Sequence, residues 1–296
     1  MNSFEFSKMM GDTLNQEWKR EHFDIEKFSV LAHNTISTFR PENEINVFDI
    51  PFELLNESEI PKQRINQGSL FGQPPLTLYV ADEKRFFIEV YLWSSVDMTI
   101  HDHPFSGAFT VLDGVCRHDV YLFDRTGGTE RLQTGRLTLK DTELLSKGDC
   151  RMIFNGDRLI HRNLHLSRPT VTFIIRTYRD PGFTGMIFEE SGLAVAPDLS
   201  APEMKFLDYL DGVLRLHNYD VAVQMIKALM ISDFSDYAKY HSVEIYLEKT
   251  RRYHETDLLC DMLSSSIIEI TPDIFRKVFQ FQQERFLNGE DFHLSY

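Results

Sequence analysis

The sequence predicts a mainly β fold flanked by helical regions, and three observations carry that prediction. Between residues 72 and 190, short runs rich in Val, Ile, Phe, Tyr and Thr alternate with turn residues at regular spacing, the pattern of an antiparallel sandwich or barrel. On both sides of that stretch apolar residues recur at helical spacing. Within it no strand-to-helix alternation appears, which speaks against a doubly wound parallel sheet. Three regions follow: a helical and irregular N-terminal extension over 1–71, a β region over 72–190, and an α-helical region over 200–296.

Phe6, Met9, Met10, Leu14 and Trp18 mark one face of a helix over 3–21, and Phe28, Leu31 and Ile36 mark a second over 24–40. Pro41 to Pro61 reads as loops and short turns. Strands are expected at 76–81, 85–93, 99–103, 108–112, 117–123, 131–139, 151–154, 159–164 and 170–178. Turn signals separate several of them, at Asp113-Gly114, Thr126-Gly127-Gly128 and Asn155-Gly156-Asp157. Ser200 followed by Glu203 is a capping box ahead of Phe206, Leu207, Leu210, Val213 and Leu214. Thr271-Pro272 reads as a cap and first helical residue, Ile274, Phe275, Val278, Phe279 and Phe286 follow, and Asn288-Gly289 ends that helix. The Phe275, Phe279 and Phe286 stripe reads as core or a dimer contact.

Composition narrows the function. A chain of 296 residues can bury a sizeable core, and 24 Phe make that core aromatic. A net charge of −14 argues against nucleic acid and against an anionic membrane surface as partners. No run approaches the roughly 20 apolar residues of a membrane span, and no signal peptide is expected from Met1-Asn2-Ser3-Phe4-Glu5-Phe6. Cys116, Cys150 and Cys260 are widely spaced with no CxxC, so a disulfide framework or cysteine zinc site is not expected, and a reducing cytoplasm is.

The chemistry concentrates in His101-Asp102-His103. Two histidines one residue apart on a strand face the same side, where two imidazoles can grip one metal ion. A third ligand is available at His161 or His165. These two lie four apart, about 13 Å along a regular strand at roughly 3.3 Å per residue, so one ion cannot take both. His161 is the expected ligand and His165 a nearby polar residue. His118, near the first motif, reads as an ordinary strand histidine in preference to a site residue. Arg176 reads either as a guanidinium for a substrate carboxylate or as half of a salt bridge with Glu89 or Asp119. Tyr91, Tyr121 and Tyr178 are possible proton donors, or structural residues with bonded hydroxyls.

These residues resemble the two motifs of the cupin superfamily. The first is the HxH pair His101-Asp102-His103 running on to Gly114. The second is Gly148, Gly156, His161 and the polar residue four further on, His165. Within that superfamily the stretch from Trp93 through His103 to Ser106 is most similar to the thiol dioxygenases, the cysteine dioxygenase type. The resemblance covers about 72–190 and implies a cupin-type antiparallel β-barrel, a double-stranded β-helix. It further implies ferrous iron on His101, His103 and His161, O2 and a small polar substrate as partners, and pairing into a homodimer. Where other cupins add a glutamate ligand this chain has Phe105, Ser106, Gly107 and Ala108, which agrees with a three-histidine site. It departs from the thiol dioxygenases at their serine-histidine-tyrosine triad, whose places fall to Thr172, Ile174 and Arg176. Their crosslinking cysteine falls at Ala108, and their carboxylate-binding arginine near Leu78.

The expected function is therefore a mononuclear non-heme iron dioxygenase acting on a thiol or small acid, with Arg176, His165 or Tyr178 orienting substrate. Two alternatives stay open: an isomerase or lyase using Zn, Mn or Ni as Lewis acid, and a non-catalytic small-molecule-binding cupin whose helical region contacts a partner.

Overall fold

The structure is a computed structural model that describes residues 1–63, 75–93 and 99–287. The chain forms two compact units. Met1–Leu122 and Leu139–Thr184 make the first, and Phe123–Thr138 and the stretch from Gly185 onward make the second.

The first unit begins with helices α1 (Ser3–Arg20) and α2 (Ile25–Phe39). Asn2 caps α1 by accepting the Glu5 backbone N–H at 2.8 Å, and the Glu5 carboxylate accepts the Asn2 N–H in return. Two short helices follow where the sequence suggested loops, α3 (Pro41–Glu44) and α4 (Ile50–Asn56). The physical reason is the position of the prolines. Pro41 and Pro51 stand in the first turn, where a missing N–H costs nothing and a fixed φ favours the helix.

Among the described residues, nine strands contribute to the first unit: β1 (Leu76–Val80), β2 (Phe86–Trp93), β3 (Ile100–His103), β4 (Gly107–Asp113), β5 (Val115–Gly128), β6 (Leu132–Ser146), β7 (Cys150–Ile153), β8 (Gly156–His165) and β9 (Thr170–Thr177). Strands β5 and β6 are much longer than the sequence pattern indicated, and each gives its distal half to the second unit. All the ladders between them are antiparallel. One sheet runs β1-β2-β9-β4-β7, and opposite it lie β6-β5-β8-β3. The pairs β5/β6, β4/β7, β3/β8 and β2/β9 are nested about the β5–β6 turn. That is one long hairpin rolled upon itself, the strand path of a double-stranded β-helix.

The five-stranded sheet is covered on both faces. Phe86, Ile88 and Val90 of β2, Ala108 and Leu112 of β4, and Val171, Phe173 and Ile175 of β9 pack with Met10, Leu14, Trp18 and Phe28 of α1 and α2. The Trp18 ring lies 4.4 Å from that of Phe28 and 6.3 Å from that of Phe86. On the opposite face Phe109, Val111 and Ile174 meet Cys116, Leu145 and Leu159 of the second sheet. Burial on both sides explains why these strands read as near-continuous apolar runs. Close approach fixes one glycine: a Cβ on Gly107 would stand 2.1 Å from the Ile175 carbonyl oxygen of the neighbouring strand.

In the second unit two short strands that the sequence did not signal, β10 (Ile187–Phe188) and β11 (Leu193–Val195), form a hairpin, and β11 pairs with Leu132–Thr134 of β6. Helices α5 (Ala201–Arg215), α6 (Tyr219–Met230), α7 (Asp236–Thr250), α8 (Thr256–Ser266) and α9 (Pro272–Leu287) complete it. The Ser200–Glu203 capping box forms as the sequence predicts. Phe275 and Phe279 are buried and stack near Tyr240, which makes them core. The Asn288-Gly289 helix stop lies outside the described residues. Among the described residues no helix is long and apolar enough to cross a membrane.

Candidate metal centre

Strand β3 carries His101 and His103, and its partner β8 carries His161 directly opposite His101 in the ladder. One further irregularity matters: His103 pairs with Gly156 and bridges Asn155, so the register shifts between the two histidines. Gly156 sits at φ +62° in the turn that makes this possible, a backbone that favours glycine. The result is a group of three imidazoles whose ligand atoms all lie within 4.8 Å of one another. The Nε2 atoms of His103 and His161 are 2.8 Å apart. Three nitrogens each about 2.1 Å from one tetrahedral ion would stand about 3.4 Å apart, a value between those two limits.

Tautomers are set by the surrounding bonds. His101 Nδ1 lies 3.1 Å from the Thr99 carbonyl, an acceptor, so it carries the proton and leaves Nε2 its lone pair. His161 Nδ1 lies 2.8 Å from His118 Nε2, and His118 Nδ1 lies 3.0 Å from Glu143 Oε1. Because Glu143 can only accept, His118 donates from Nδ1, accepts at Nε2, and so holds the His161 proton on Nδ1. Arg151 closes the series, donating from Nε to Glu143 Oε1 at 2.7 Å and from Nη2 to Oε2.

The electrostatics agree with neutral rings. Burial, followed by the neighbouring His101, Arg176 and His118, pushes His103 well below the ordinary histidine value. Burial does the same to His161, with His101, His103 and His118 adding to it. His118 is lowered by burial despite the bond to Glu143, which opposes the shift. The Arg151 guanidinium holds Glu143 down at about 2. Neutral imidazole is the form that binds divalent transition metals, so this donor set fits such an ion. Among the described residues the group contains no carboxylate.

The other residues singled out from the sequence fall at different distances from this group. His165 lies outside it; buried on β8, its ring stacks 4.6 Å from that of Trp93, which in turn stacks 5.2 Å from Tyr91. Arg176 is buried on the inner face of β9 and its Nε donates to Glu89 Oε2 at 2.9 Å; Asp119 pairs instead with Arg117 and Arg162. The guanidinium also stands 4.6 Å from the centre of the Phe105 ring, which packs 4.5 Å from His103. Tyr178 is largely exposed, its ring 5.9 Å from Phe87. Tyr121 is buried beneath the Arg162 guanidinium.

His118, which the sequence favours as an ordinary strand histidine, touches His161; its signal is the alternation of Cys116, His118 and Val120, which puts it on the buried face of β5. Asp180 carries no comparable signal in the sequence. It is buried and accepts from Ser106 Oγ at 2.6 Å, Thr177 Oγ1 at 2.6 Å and Asn155 Nδ2 at 2.7 Å. It thereby ties the start of β4 and the end of β9 to the turn that places His103.

No protein-family model matches the chain, and no curated protein matches it. Solved structures share partial likeness. An uncharacterized conserved protein with a double-stranded beta-helix domain from Klebsiella pneumoniae is 13% identical, over 43% of this chain and 99% of that one, with a TM-score of 0.27. The DMSP lyase DddQ from Ruegeria pomeroyi is 12% identical over 44% of this chain and 58% of that one, with a TM-score of 0.26. Peruvianin-I, a cysteine peptidase from Thevetia peruviana latex, is 16% identical over 44% and 76%, with a TM-score of 0.29. Likeness at this level carries no argument.

Proposed function

We propose that this chain is a mononuclear, iron-dependent oxygenase of a small anionic substrate, a thiol or a small acid, with the ion on His101, His103 and His161. The donor set carries the reading: three imidazoles clustered within 4.8 Å, with no carboxylate among them from the described residues. Three neutral donors cancel none of a divalent ion's charge, so a thiolate or carboxylate from the substrate is the natural counter-charge. When bound, iron supplies the redox chemistry and open coordination positions that dioxygenation requires.

The chain's own groups prepare that site. The Thr99 carbonyl and His118 hold the Nδ1 protons of His101 and His161 and keep both Nε2 lone pairs available. The Phe105 and Phe109 rings pack against His103 and His161 and limit access of bulk water. Arg176, with its Nε on Glu89, orients substrate from β9, and the His165–Trp93–Tyr91 stack forms a wall on which it can rest.

The test is elemental analysis of the untagged protein beside His101→Ala, followed by oxygen uptake after anaerobic iron loading. Near-stoichiometric iron that disappears in the variant, and oxygen consumption with a thiol or small acid, are the expected results. Activity with zinc, manganese or nickel and none with iron would replace the reading with a Lewis-acid isomerase or lyase. Absence of any metal in the native chain would leave a binding module.

A further inference from the structure

We infer that His118 and Glu143 form a positioning dyad for the metal centre, setting the tautomer, rotation and donor strength of His161. The inference rests on the three-histidine reading above and deepens it.

Geometry supports it at each link. In the β5–β8 ladder Val120 lies opposite His161 and His118 opposite Asn163. His118 is therefore a diagonal neighbour of His161 on the same face of the sheet, within reach of a ring-to-ring hydrogen bond. That bond is 2.8 Å long, with the two rings nearly perpendicular at 87°. An edge of His161 then meets the lone pair of His118, and rotation of His161 about its χ2 would break the contact. The next link, His118 Nδ1 to Glu143 at 3.0 Å, fixes His118 in turn. His118 and His161 are buried at 3% and 1% exposure, whereas the Glu143 and Arg151 side chains keep 32% and 35%. The series thus runs from a half-exposed ion pair inward to the proposed ligand.

The consequence is chemical as well as steric. A carboxylate accepting from His118 Nδ1 makes His118 Nε2 a better acceptor. That acceptor polarises the Nδ1–H of His161 and makes its Nε2 a stronger donor to an ion. The Nδ1 of His101 meets the Thr99 backbone carbonyl instead, whereas the chain tunes the donor strength of His161 with a charge.

The experiment measures cobalt(II) affinity by chelator competition, together with the visible absorption of the bound ion, for the full chain and four variants. His118→Leu is expected to bind roughly 10–100-fold more weakly, the usual cost of losing such a partner, and His118→Gln, whose amide oxygen still accepts from His161, to recover part of that loss. Glu143→Gln keeps the size and an acceptor while dropping the charge; a several-fold loss with a shifted cobalt spectrum is expected. His101→Ala is expected to lose binding outright, with folding of every variant checked by circular dichroism. If His101→Ala binds as the native chain does, the three-histidine reading itself falls and this inference with it. If His101→Ala loses the ion while His118→Leu and Glu143→Gln retain native affinity and spectrum, the reading stands and the dyad is merely structural.

Discussion

At the scale of single residues the site divides into what alternation along a strand reveals and what only pairing between strands reveals. His101 and His103 are legible because one strand with a period of two decides their common face. Four residues of extended chain exceed the reach of one ion, so the sequence allows His161 or His165 but not both, and the β3–β8 pairing brings His161 into the three-imidazole group. His118 is not legible in that way, since its role depends on which residue of β8 lies across from it, a register no single strand contains. Arg176 shows the same limit: both of its readings were open, and the structure supplies the Glu89 ion pair. That pair makes a prediction of its own. Both side chains are almost fully buried, so removing one leaves an uncompensated charge in a low-dielectric interior. Arg176→Met should destabilise the fold by about 3–5 kcal/mol, and Glu89→Gln added to it should restore a large part. Urea unfolding of the two variants decides this; equal stability of single and double variants would refute it.

At the scale of elements, capping residues were better guides than prolines. Ser200 and Glu203 announced α5, and the box they form is present, whereas Pro41 and Pro51 opened short helices instead of breaking them. What the capping pattern did not reveal is that Glu203 serves two helices. Its second oxygen accepts the backbone N–H of Ser235, the cap of α7, at 2.6 Å. Burial alone would raise the Glu203 carboxyl, but the bonds from Ser200 and Ser235 outweigh it and hold the group at about 2. A folded value below the unfolded one stabilises the native state above the ordinary carboxylate range, and that stabilisation drains away as pH falls from about 4.5 toward 2. Glu203→Gln should therefore melt well below the native chain near neutral pH, and the gap should close in acid. Thermal melts at a series of pH values provide the check, and a gap constant with pH would count against the assignment.

At the scale of the whole molecule the β class and the helical flanks follow from patterns that repeat over several residues, whereas the strand order comes from the pairing in the structure. The short β10–β11 hairpin follows from no such pattern, because two or three residues hold too little periodicity to read. Burial of both faces of the five-stranded sheet also makes the helix-side core a shared support. Phe86 is fully buried between β2 and the Trp18–Phe28 pair. Phe86→Ala should cost about 3–5 kcal/mol, measured as a lowered urea midpoint, and a loss below about 1 kcal/mol would mean that α1 and α2 do not rely on this contact. Over the described residues the chain passes between the two units three times, after Leu122, after Thr138 and after Thr184. During synthesis the described residues of the first unit are all present once Thr184 has emerged from the ribosome, and domains generally fold in the order they are made. The tip of the β5–β6 hairpin must then wait, with the edge at Leu132–Thr134 unmatched, until Leu193–Val195 arrives to pair with it. That interval is when this chain is most open to strand addition by a neighbour, and slowing translation after Thr184 should raise aggregation during expression.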